Sequence, residues 1–294
     1  MNRGALIFLG LFFALAGSWY GMVLQPQAEL GRLAETKTVG AEETYPVLRP
    51  GQARQGAGVY VANGCVYCHS QQVRQTGTAL DVVLAASGTN RTQLVASLRR
   101  LKPELSENAA RELVEDAPKT VLQNVSSVLA EEAAKSLAVG GARAVIQPIP
   151  LGLDIARGWG VRRTVAEDYL YDCPVQLGSL RIGPDLANAG LRRPDPQWHL
   201  RHLYAPGSEV KGSTMPPYRY LFETHKIARA PSPEALKLPA AFAPAPGYEV
   251  VPRPAAKSLV AYLLSLRADA PLFETPATLA PAAAATKLIK QKLN

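Results

Sequence analysis

Hydrophobic and polar positions divide this chain into stretches of different character. After Arg3, the run from Gly4 to Leu24 carries no charge and is largely apolar. As a helix rising 1.5 Å per residue it spans about 30 Å, the thickness of a bilayer core. The pattern predicts a transmembrane anchor over 1–24, with Trp19 and Tyr20 near its far end, where amphipathic rings favour the interface. Its expected orientation puts the N-terminus inside and the body of the chain outside the cytoplasm. Ala14-Leu15-Ala16 also fits a small-residue cleavage site, and a removed signal peptide is the rival reading; the apolar run continues past it and favours retention. Residues 25–50 are polar and contain Pro26, Pro46 and Pro50, which predicts a linker lifting the body off the membrane.

Helical periodicity begins at Gly51, where Ala53, Ala57, Tyr60 and Val61 form an apolar stripe. A matching stripe lies near the other end: Leu259, Tyr262, Leu263 and Leu266 recur at i, i+3, i+4 and i+7 within 256–268. Each stripe needs a partner, and Gly56 would let the two backbones approach closely. Residues 79–147 form a self-contained pattern: an apolar run Leu80–Leu84, helical stretches at 90–101 and 106–116, a short strand near 120–122, a helix 127–139 and a strand 142–146. Ser106 and Ser127 are candidate N-caps, and Gly140-Gly141 a candidate stop. The predicted order is βααβαβ. Residues 228–256 are rich in Ala and Pro and predict an arm wrapping the surface. The tail 269–294 is similar and ends in a short basic helix candidate.

A length of 294 residues with 47% apolar content suits a folded chain of two modest domains. The net charge of +8 is spread along the sequence, ending in Lys287, Lys290 and Lys292, and without interleaved aromatics it argues for solubility or an acidic protein partner and not for nucleic acid.

The run Cys65-Val66-Tyr67-Cys68-His69 carries the most specific chemistry. Two thiols three apart followed by an imidazole form the attachment site of one c-type haem: the sulfurs bond the two vinyl groups and His69 supplies nitrogen to the iron. A zinc site of the usual kind would need four ligands, and the sequence has no second Cys pair at similar spacing. For the other face of the iron the composition narrows the choice. Of three Met residues, Met1 is the initiator and Met22 lies in the apolar run, leaving Met215, in a loop stiffened by Pro216 and Pro217. A thioether ligand raises a haem potential and suits an electron carrier. His199, His202 and His225 are the competing ligands, although the plain reading of Trp198, His199 and His202 is the surface of a short helix. Cys173 reads as a small buried hydrophobe.

Several of these segments resemble known families. The two end helices and Gly183-Pro184-Asp185-Leu186 are similar to small class I cytochromes c, in which the proline carbonyl accepts a hydrogen bond from the ligand histidine. The resemblance assigns that carbonyl to Pro184, orienting His69. Leu80-Asp81-Val82-Val83-Leu84, Glu112 to Lys119, Glu131-Glu132-Ala133 and Gly141-Ala142 resemble the C-terminal domain of the bacterial ribosomal stalk protein; the fold is carried over, and a protein-contact module is expected outside the cytoplasm. With that insert set aside, Gly64 to Arg74, Gly178 to Leu186, Trp198 to Leu203 and Ser213 to Tyr218 resemble, in order, the mono-haem subunit of C-family (cbb-type) haem-copper cytochrome c oxidases.

The resemblance implies an electron-transfer subunit that is not itself catalytic, with one covalent haem held by Cys65 and Cys68 and iron ligated by His69 and Met215. Arg74 and Arg181 are implied as partners of a haem propionate through charge-assisted hydrogen bonds, or as solvated surface arginines. Electrons would arrive from a di-haem sister subunit or a soluble cytochrome c and leave toward the polytopic oxygen-reducing subunit, on the periplasmic side of a bacterial inner membrane whose lipid surrounds the anchor. The chain departs from the family at Cys173, where His is expected, and in the insert. Rival readings are the cytochrome subunit of a nitric oxide reductase or other respiratory complex, and an exported haem scaffold or redox sensor that uses its insert for protein contacts. The expected fold is mainly α: an anchor helix at 1–24, a linker at 25–50, a class I-like cytochrome c domain split into 51–78 and 148–268, a small α/β insert at 79–147 and a tail at 269–294.

Overall fold

A computed structural model describes residues 3–38, 44–270 and 272. Its first element is one apolar helix, Gly4–Leu30, every turn of which is exposed. It comprises α1 (Gly4–Trp19), a π-helical turn at Tyr20–Leu24 and α2 (Gln25–Leu30). The helix therefore outruns the expected anchor and takes the first residues of the expected linker, with Pro26 at the start of α2 directly after the π-helical turn. Two-residue strands β1 (Thr36–Lys37) and β2 (Thr44–Tyr45) pair next. Residues 45–49 are fastened to the body. The Tyr45 hydroxyl donates to Asp168 at 2.7 Å, and Arg49 pairs with Asp172.

The end helices pack on each other through most of their stripes, but Val61, counted in the first stripe, points to solvent and is exposed. Helix α3 (Gly51–Ala62) buries Ala53, Gly56 and Tyr60 against α11 (Pro254–Ser265), which buries Leu259, Tyr262 and Leu263. A Cβ at Gly56 would collide with the Ser258 carbonyl, so glycine permits the close crossing. The Tyr60 and Tyr262 rings meet at 5.3 Å within it. A short 3-10 turn, Cys65–Tyr67, follows α3 directly.

The insert has the expected order: β3 (Gly77–Ala86), α4 (Arg91–Leu101), α5 (Glu107–Glu115), β4 (Lys119–Val125), α6 (Ser127–Val139) and β5 (Arg143–Leu151). The strands form an antiparallel sheet in the order β4-β3-β5. Val82 and Leu84, on one face of β3, are fully buried with Leu94, Leu98, Val114 and Leu137 from the three helices. Ser106 caps α5, accepting from Ala109 N at 3.2 Å; α6 is capped by Ser126 and not by Ser127, because Ser126 has the extended backbone of a cap and accepts from Leu129 N. Gly141, at φ +75°, ends that helix region. The β3/β5 ribbon runs beyond the expected 79–147, pairing Gly77 with Leu151.

After the insert come α7 (Leu153–Ala156), α8 (Ala189–Arg192), α9 (Pro196–Tyr204) and α10 (Pro206–Glu209). Strands β6 (Phe222–Lys226) and β7 (Tyr248–Pro252) form an antiparallel pair that frames the Ala/Pro-rich loop, in which Leu236 is buried and bonds Val250. The main core joins Tyr60, Cys65, Leu203, Tyr204, Phe222, Leu259 and Tyr262, and is separate from the insert's core. Apart from Ala270, Leu272 and Asp269, the predicted tail and its basic helix lie outside the described residues.

Candidate haem-binding site

The Cys65–Tyr67 turn starts from Gly64 in the left-handed conformation, at φ +65°, which breaks α3 and swings the cysteines across the end of the core. Cys65 is buried and Cys68 partly so, both as free thiols; burial pushes the Cys65 thiol up to about 11. The backbone N–H of His69 donates to the Cys65 carbonyl at 3.0 Å, so thiols and imidazole share one turn. The His69 ring lies against Gly183, where a Cβ would strike it, and Nδ1 is 2.8 Å from the Pro184 carbonyl oxygen. A carbonyl only accepts. Nδ1 therefore carries the hydrogen and the Nε2 lone pair is left for a metal. Burial also holds His69 below the ordinary imidazole range, keeping it neutral.

A buried lattice of polar groups holds this loop. Gly183 N donates to the Cys68 carbonyl at 3.0 Å and Leu186 N to the Ser70 carbonyl at 2.7 Å. Asp185, wholly buried, accepts from Ser70 Oγ at 2.6 Å, Gln72 N at 2.7 Å and Ala187 N at 2.9 Å. The Arg181 guanidinium donates to Ser70 Oγ and Asp154 Oδ1, each at 2.8 Å, and to the Gln72 carbonyl. The arginine is thus engaged by protein groups, whereas Arg74 is exposed and only its backbone N–H bonds Asp154. Nothing in sequence spacing pointed to Asp154. The Asp185 carboxylate was visible in the Gly-Pro-Asp-Leu motif, although its three bonds were not.

Met215 packs against the core that contains Cys65, and its loop is tied down by Tyr218 N donating to the Leu203 carbonyl at 2.8 Å. Burial, and then the neighbouring Cys65 thiol, raise Tyr218 to about 12. His199 is 5% exposed, with Nε2 2.8 Å from the Arg193 carbonyl, so it is a core residue and not the helix surface that i,i+3 spacing suggested. His225 pairs with Glu249 at 2.9 Å on the β6/β7 pair, away from the cysteines. His202 stacks on Trp198 at 4.7 Å, and burial drives it down to about 4. Cys173 is exposed, contrary to the expected buried hydrophobe: it lies in an irregular, bent and largely exposed loop.

The donor set fits a haem. Paired thiols, an imidazole with its free nitrogen fixed by tautomer, a side-chain-free platform at Gly183 and a thioether on the same apolar core are the groups such a cofactor needs. Among the described residues no group of three or more His, Cys, Asp or Glu gathers as a metal cluster.

Comparison with known proteins matches two adjoining segments of the chain. Residues 150–240 match the family model of the cytochrome c oxidase mono-haem subunit, FixO, and residues 80–147 match the ribosomal protein L7/L12 C-terminal domain. Over 70 residues the chain is 37% identical to large ribosomal subunit protein bL12 of Caulobacter vibrioides, covering 24% of this chain and 55% of that protein. The bL12 of Methylobacillus flagellatus is 40% identical over 70 residues, 24% of this chain and 54% of the relative. That of Sorangium cellulosum is 38% identical over 86 residues, 29% and 66% respectively. The chain spans about half the length of the first two relatives. One polypeptide thus carries a segment matched by the mono-haem cytochrome c oxidase subunit model and, directly ahead of it, a segment matched by the ribosomal L7/L12 C-terminal domain.

Proposed function

We propose that the chain is a membrane-anchored mono-haem cytochrome that passes electrons to the oxygen-reducing subunit of a cbb-type cytochrome c oxidase in aerobic respiration. One observation carries the reading: the contact of His69 Nδ1 with the Pro184 carbonyl directly beside a Cys-x-x-Cys-His turn, an arrangement that leaves the imidazole Nε2 free to meet iron. Bound at Cys65 and Cys68, haem supplies a one-electron Fe(III)/Fe(II) couple. His69 would offer Nε2 and Met215 its sulfur to the iron; Gly183 leaves room for the His69 ring, and the Tyr60–Tyr262 helix crossing backs Cys65 with apolar mass. Arg74 reaches solvent and is the better placed of the two arginines to meet a propionate. The apolar helix Gly4–Leu30 anchors the domain in lipid on the periplasmic side, within reach of a polytopic haem-copper subunit and of a di-haem or soluble cytochrome c donor. The chain relays electrons and does no bond chemistry of its own.

Gentle solubilisation of the native membrane, followed by a reduced-minus-oxidised spectrum and identification of co-purifying chains, tests the reading. A c-type signal beside b-type haem and a polytopic oxidase subunit is expected. A haem protein recovered alone would favour the exported scaffold or sensor.

A further inference from the structure

The insert is rooted on the haem-ligand loop. Thr76 N donates to the Leu151 carbonyl at 2.8 Å, closing the ribbon, and Gly152, at φ +155°, packs its backbone on Arg74 and Thr76. Two residues later Asp154, 4% exposed, points back into the cytochrome domain. Its Oδ2 accepts from Arg74 N at 2.7 Å and its Oδ1 from Arg181. Through Arg181 it reaches Ser70, which neighbours His69 and donates to Asp185, which neighbours Pro184. The two partners of the His69–Pro184 contact are each one residue from a member of this lattice. The Arg181 guanidinium also lies 5.4 Å from the Trp159 ring, leaving it one geometry.

We infer that Asp154 is a positioning residue for the iron ligand, holding His69 through Arg181 and so joining the root of the inserted domain to the haem. The inference rests on the haem reading above. A partly buried guanidinium bridging the carboxylates of Asp154 and, at 3.6 Å, Asp185, the Ser70 hydroxyl and the Gln72 carbonyl is a network in which each member fixes the others. Loosening it weakens the bond that the imidazole donates to Pro184. The nitrogen facing iron then becomes less electron-rich, the ferric state loses stabilisation and the reduction potential rises.

Charge alone makes a different prediction, which separates the two accounts. By electrostatics, Asp154→Asn raises the potential, Arg181→Gln lowers it, and Arg181→Lys or Asp154→Glu leaves it in place. By positioning, all four raise it, because the Lys ammonium gathers its donors on one nitrogen where the guanidinium spreads them over three, and Glu is one methylene too long. The experiment is a potentiometric titration of the full chain and these variants, with covalent haem per chain measured alongside. An upward shift in the two charge-conserving variants is the expected result. Potentials for both at the parent value, with Arg181→Gln below it, would overturn the inference while leaving the haem reading intact. A parent chain without covalent haem would remove the haem reading itself. If Arg181→Gln does not fold, the charge-conserving pair decides the matter.

Discussion

Gly183 is the residue whose side chain is missing for the clearest reason. A methyl there would overlap the His69 ring, so Gly183→Ala must displace the imidazole from the Pro184 carbonyl or open the loop. The expected outcome is a severalfold loss of covalent haem per chain, read from the pyridine haemochrome, with the insert still folded. His202 predicts a pH dependence. Burial favours its neutral form, so the folded state releases a proton that the unfolded state, titrating near 6.5, still binds. Stability is full above about 6.5 and falls as pH drops toward about 4, where the folded imidazole also charges. The thermal midpoint should decline over that window, and His202→Phe, which keeps the stack on Trp198, should flatten the decline; an identical slope in the variant would rule His202 out. At this scale Cys65, Cys68 and His69 were legible as a motif because their spacing is local; Pro184, 115 residues further on, was reached only through the resemblance to cytochromes c. Asp154 was not, since its partners Arg74 and Arg181 come from segments far apart in the chain.

Helix pairing was legible because the stripes of α3 and α11 each had one unsatisfied face and Gly56 stood in the middle of one of them. Gly56→Ala should cost about 3 kcal/mol or more, since the added methyl meets backbone and not a mobile side chain. Urea denaturation followed through the haem domain checks this, and a shift below about 1 kcal/mol would mean that the crossing yields. The insert's element order was equally readable. Its details were not. Ser126 and Ser127 offer the same hydroxyl, and only backbone geometry decides which caps α6. The ends of β3 and β5 are polar or proline-bearing, and only their pairing with each other makes them strands.

Two cores that do not merge give the molecule separate stabilities. Leu94, fully buried among α5, α6 and the sheet, is the test position: Leu94→Ala should cost the insert about 2–5 kcal/mol. Circular dichroism should then show an earlier helical transition, while the visible haem spectrum melts where it did before; simultaneous loss would show one cooperative unit. The anchor helix was legible from hydropathy, whereas its continuation to Leu30 was not, because Gln25, Pro26 and Gln27 read as linker until the helix carries them. The claim on which the rest depends is that Cys65 and Cys68 hold a haem. The most direct measurement is the intact mass of the full-length chain made in cells that attach c-type haem, beside the double variant Cys65→Ala, Cys68→Ala. The account predicts one haem per parent chain and none on the variant; a parent of unmodified mass, with both thiols open to alkylation, would contradict it.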